Sequence, residues 1–107
     1  MKGLMIVESR DPTAHGDVDW MGRLATAVHG DGVPTAIFLA DNGVLGARQG
    51  AISAVGDWIA AGVTVSADRF ALRERGISDA QLVPGVAPAD LEAVLDSLAS
   101  GASVIWR

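Results

Sequence analysis

Gly62 to Gly76, GVTVSADRFALRERG, runs a short β-branched strand directly into a helix, and few folds accept that order. Gly62 releases a preceding helix, Val63, Thr64 and Val65 favour extended backbone, Asp68 suits a helix N-cap, and Gly76 suits the left-handed residue that ends a helix. A strand that feeds a helix belongs in a parallel sheet, whose next strand is reached only by a crossover. In open α/β sheets ligands bind beyond the carboxyl ends of the strands, so Ser66, Asp68 and Arg69 fall where chemistry is expected.

The rest of the chain repeats this alternation. Leu4 to Val7 is a continuous apolar run, the pattern of a strand buried on both faces, and it is expected at the sheet centre. After a polar loop holding Ser9, Arg10, Pro12 and Gly16, Asp17 caps a helix to about His29, with Val18, Met21, Leu24, Ala25 and Val28 on one face. Val33 to Leu39 forms a second strand, with Pro34 tolerable only at its start. Asp41-Asn42-Gly43 opens a second loop and a short helical turn. Gln49 to about Ala61 reads as a helix with Ile52, Val55, Trp58 and Ile59 on its face and with Gly56 admitting close helix packing. Gln81-Leu82-Val83 is the expected fourth strand. Pro88 is expected to open a last helix whose Leu91, Val94, Leu95 and Leu98 face the core while Asp90, Glu92 and Asp96 face water. Gly101 ends it, and Ala102 to Trp106 closes the chain as a fifth strand. The expectation is one α/β domain over residues 1–107 with a parallel sheet.

Composition narrows the function. A chain of 107 residues makes one modest core, which a subunit interface would help to stabilise. The net charge of −5 argues against nucleic-acid binding, which needs a basic face. No window approaches the ~18 apolar residues of a membrane span, so a soluble, cytoplasmic protein without a membrane partner is expected. There is no cysteine, which removes thiolate metal sites, a Cys nucleophile and a persulfide carried by this chain.

The loops that the strand order brings to one edge supply the candidate site: Ser9 and Arg10 after the first strand, Asp41, Asn42 and Gly43 after the second, and Ser66, Asp68 and Arg69 after the third. Each also has a plain structural reading, Asn42-Gly43 as a tight bend and Asp68 as a cap. Arg69 and Arg73 are spaced i, i+4 on one helix face; with Arg75 they suit an anion, a carboxylate of another subunit, or solvent. Trp58 and Trp106 suit either the core or a subunit contact, as does Trp20. His15 and His29 belong to no ligand motif, no GxGxxG or P-loop is present, and Ser9 and Ser66 lack a nucleophile elbow, so no metal, cofactor or hydrolase chemistry is expected.

Leu39-Ala40-Asp41-Asn42-Gly43-Val44, Gly62-Val63, Leu72-Arg73-Glu74-Arg75-Gly76-Ile77 and the closing Val104-Ile105-Trp106, in that order, resemble the DsrE/DsrF/DsrH-like family, which includes sulfur-relay proteins of the TusBCD type. The resemblance spans nearly the whole chain. It implies a three-layer α/β/α sandwich with a parallel five-stranded sheet, assembled as an oligomer. Active members carry a persulfide-bearing cysteine after the third strand, where this chain has Ser66-Ala67-Asp68-Arg69, with Asp68 at or within a residue of the cysteine position. A carboxylate forms no persulfide. The resemblance therefore implies a non-catalytic accessory or structural subunit, a homo-oligomer or a hetero-oligomer with a cysteine-bearing relative. The alternatives are a small-ligand binder using Asp41, Asn42, Asp68 and Arg69, and an enzyme using Asp68 as acid or base.

Overall fold

In the computed structural model, residues 2–14 and 18–107 are described. The expected Asp17 cap and His15 lie outside them. The chain alternates strand and helix: β1 (Leu4–Glu8), α1 (Val18–Gly30), β2 (Thr35–Leu39), a 3-10 helix over Asp41–Ala47, α2 (Ala54–Ala60), β3 (Thr64–Asp68), α3 (Arg69–Glu74), a 3-10 turn over Asp79–Gln81, β4 (Ala87–Ala89), α4 (Glu92–Ala99) and β5 (Ser103–Trp106). All strand pairs are parallel, in the order β4-β3-β2-β1-β5. The expected five-stranded parallel sheet is thus present. β2 holds its centre and β1 lies beside it, flanked on both sides.

Register divides the strand residues between two faces. Ile105, Ile6, Ile37 and Val65 lie side by side in one row, and Trp106, Val7, Phe38, Ser66 and Ala87 in the next, on the opposite face. The first face carries the main core, where Ile6, Ile37 and Val65 pack with Met21 and Ala25 of α1, Val55 and Trp58 of α2, and Ala71 and Leu72 of α3. On the second face Met5, Val7, Phe38 and Ala40 meet one buried helical residue, Val94 of α4. The molecule has three layers of very unequal thickness.

Five expectations need correction. Gln81-Leu82-Val83 is not the fourth strand. It follows a 3-10 turn, and Leu82 makes an isolated antiparallel bridge to Arg48 outside the sheet, fixed by Gln49 N–H to Gln81 O at 2.8 Å and Val83 N–H to Ala47 O at 2.8 Å. The strand is Ala87–Ala89, so Pro88 lies in an edge strand rather than opening a helix. An edge strand bonds on one side only and can lack one N–H. That same 47–49 contact leaves α2 to begin at Ala54 instead of Gln49. Leu91, Leu95 and Leu98 do not join the core: they are 50%, 60% and 53% exposed. Gly56 has open space above it, and the close helix contact falls at Gly22, where a Cβ would collide with Trp58 Nε1.

Candidate functional site at the carboxyl edge

β3 extends to Asp68, and α3 starts at the next residue, so the bend between them has no spare length. Asp68 has extended backbone (φ −61°, ψ 119°), and its Oδ2 accepts the Ala71 N–H at 3.3 Å. It is a half-buried N-cap, satisfying one of the donors a helix start leaves over. Gly76, at φ 66°, ends the helix as expected. Arg69 turns toward the edge strand β4: its Nη1 donates to Asp90 Oδ1 at 3.0 Å and its Nη2 to Pro88 O at 3.3 Å. One side chain thereby ties α3 to β4 and the segment leading into α4.

The second loop is held from α3 as well. Arg75 Nε and Nη2 donate to Asn42 Oδ1 at 3.2 and 2.9 Å, and Nη1 donates to Ala71 O at 3.1 Å. Asn42 and Arg75 therefore belong to one hydrogen-bonded clamp across the edge, while Arg73 is exposed. Asp41 opens the 3-10 helix at φ 47°, the one non-glycine residue with positive φ among those described. The strain buys proximity: Ala40 N–H bonds to Glu8 O at 2.9 Å, and Gly43 packs so tightly there that a Cβ would strike the Glu8 carbonyl oxygen.

The first loop holds a group that the sequence does not reveal. Glu8, at the end of β1, is 1% exposed, and its carboxylate lies 3.5 Å from Arg107 Nε and 3.9 Å from Arg10 Nε. The Arg107 guanidinium sits 5.2 Å from the ring centre of Trp20, a cation–π distance. Ser9 donates both its N–H and its Oγ–H to the Arg107 carbonyl, and Arg107 N–H bonds to Val7 O at 2.8 Å. Ser9, Arg10 and Glu8 so form a lock on the end of β5. An Arg107 distant in sequence gives no local signal; a Glu ending an apolar strand is the only hint.

The carboxyl edge brings together all the predicted loops, but it spends their side chains on one another. Asp68, Arg69, Asn42 and Arg75 bond within the chain, and no group of three metal-ligating side chains occurs among the described residues. The sizeable hollows lie elsewhere. One of about 490 Å³ sits between α4 and the sheet, where Ala36, Thr64, Ser66, Ala93 and Ser97 leave space. Another, of about 460 Å³, separates α1 from α2. Trp58, 3% exposed, belongs to the chain's own core, whereas Trp106 is 57% exposed at the end of the edge strand β5. No helix among the described residues is long and apolar enough to cross a membrane.

Against known proteins, neither a family model nor a curated protein matches this sequence. Solved structures do. The ychN protein of E. coli superposes with a TM-score of 0.88 at 21% identity, over 100% of both chains. MTH1491 of Methanobacterium thermoautotrophicum, a protein of unknown function, gives a TM-score of 0.81 at 17% identity, covering 99% of this chain and 98% of that one. BT1422 of Bacteroides thetaiotaomicron, likewise of unknown function, gives 0.81 at 17% identity, covering 99% and 95%. The likeness shows the fold. At these identities it transfers no activity, and the full coverage means that the match is to whole chains of the same architecture.

Proposed function

We propose that this chain is a cysteine-free DsrE/DsrH-like protein that serves as an accessory or structural subunit, either self-assembled or beside a cysteine-bearing relative of the sulfur-relay type. One observation carries the reading: the helix covering the thin side of the sheet presents a stripe of leucines outward. Leu91, Leu95 and Leu98, spaced i, i+4, i+7, are half or more exposed, and Trp106 of β5, in the strand row on the same face of the sheet, adds 57% exposure. Large apolar groups gathered on one side of a small domain mark a contact surface. An all-parallel sheet is ordinarily covered on both faces, and here α4 alone covers one of them. Chemistry by this chain lacks comparable support. With no cysteine it holds no persulfide, and Asp68 is occupied in capping α3.

The test is to purify the protein gently from its own source and weigh the intact particle by native mass spectrometry. An assembly well above the 11.0 kDa chain is expected, and a second, cysteine-bearing chain in it places the sulfur chemistry on that partner. A bare monomer at micromolar concentration contradicts the proposal.

A further inference from the structure

The two edges of the sheet are closed differently. β4 contains Pro88, whose carbonyl is taken by Arg69 Nη2. A proline and a covering cation are ordinary guards against a strand pairing with another chain. β5 has neither: Ser103-Val104-Ile105-Trp106 contains no proline and no charge, and the adjacent Arg107 turns its guanidinium back to Glu8, 3.5 Å away. A strand residue sends its N–H and C=O toward the same edge, and successive residues alternate. On the inner edge Ser103 N–H bonds to Gly3 O at 2.9 Å and Arg107 N–H to Val7 O at 2.8 Å. Val104 and Trp106 therefore send theirs outward, where β5 has no neighbouring strand and nothing among the described residues bonds to them.

Outward donors and acceptors on extended backbone fit one kind of partner, another strand. We propose that this partner is the β5 of a second copy, paired antiparallel across a twofold axis at Ile105, so that two five-stranded sheets become one. In that register Val104 exchanges hydrogen bonds with the partner's Trp106, and Trp106 with the partner's Val104, which satisfies all the outward groups. The strand complements itself. A β-branched residue meets an aromatic one on the face that carries α4, Ile105 meets its own copy on the other face, and no like charges are set opposite. Two four-residue strands alone make a marginal pair. Val94 of α4 shares an apolar cluster with Val104, so α4 lies over this edge and its exposed leucines complete the contact on the same side. The inference rests on the subunit role proposed above and names its partner and junction.

The experiment uses the full chain at micromolar concentration, with native mass spectrometry for the assembly and ¹⁵N NMR for amide exchange. A dimer or an even multiple is expected, with the Val104 and Trp106 amides protected as Ile105 is. Ile105 is 37% exposed on the face away from the leucines, so Ile105→Lys and Ile105→Glu leave that stripe untouched. Each sets like charges across the axis and weakens the dimer roughly tenfold or more, while mixing the two restores a particle with one chain of each. Val104→Pro removes only an outward N–H and gives a similar loss, with folding followed by circular dichroism. An assembled natural chain whose Val104 and Trp106 amides exchange freely overturns the edge pairing and leaves the subunit role standing. So do folded Ile105 variants that assemble as tightly as the natural chain or stay apart when mixed. A monomeric natural chain overturns both.

Discussion

At the scale of single residues, the chain spends polar side chains on holding loops together at the sheet's carboxyl edge. Asp68 illustrates the consequence. If its role is to cap α3, Asp68→Ala loses about 1 kcal/mol in denaturant unfolding while Asp68→Asn, which caps as well, loses little. Equal losses in both would mean that the charge, and not the cap, matters. Glu8 is held more firmly. Glu8→Gln keeps the shape but removes the carboxylate charge 3.5 Å from the Arg107 guanidinium, which is 9% exposed, and about 3 kcal/mol of destabilisation is expected from chemical denaturation. The two residues differ in how visible they are in the sequence. A cap is local, so Asp68 before a helical pattern reads correctly. Glu8 and Arg107 meet only once β5 lies beside β1, and Gly43, legible as a turn glycine, is required by the approach of the Glu8 carbonyl, a contact that spacing does not reveal.

At the scale of elements, apolar pattern locates strands and helices but does not say what covers them. β1, β2, α1 and α3 have strong local signals and form where those signals fall, whereas β3, expected over Val63 to Val65, starts at Thr64 and runs on to Asp68 through the expected bend. β4 does not: Ala87-Pro88-Ala89 carries little β-propensity, and the better-looking Gln81-Leu82-Val83 is drawn off by Arg48 and Gln49, whose side-chain amide donates to Leu82 O at 3.0 Å. The stripe on α4 is a true helical period, yet the inference that it faces its own core fails, because of its four members Val94 alone is buried. Substituting Leu95 and Leu98 together by Lys is therefore expected to change the stability of the isolated chain by no more than about 1 kcal/mol, the scale of two surface changes. In a core-facing helix the same pair would cost several-fold more. Thermal unfolding at low protein concentration separates the two outcomes. On the opposite side of the sheet, Gly22→Ala forces the Trp58 ring away from α1 and is expected to destabilise by about 1–3 kcal/mol, read as a lowered unfolding midpoint.

At the scale of the molecule, a parallel sheet with a full helical layer on one side and a single short helix on the other is an unfinished sandwich. On the thinly covered side Leu91, Leu95, Leu98 and Trp106 are half or more exposed, and the proposed role as a subunit rests on that side. The most direct measurement is native mass spectrometry of the protein and of its Leu95→Lys, Leu98→Lys variant at the same micromolar concentration, with circular dichroism run on both. The account predicts an assembly for the natural chain and an equally folded 11 kDa monomer for the variant. An unchanged assembly in the variant, or a natural chain that is already monomeric, would contradict it.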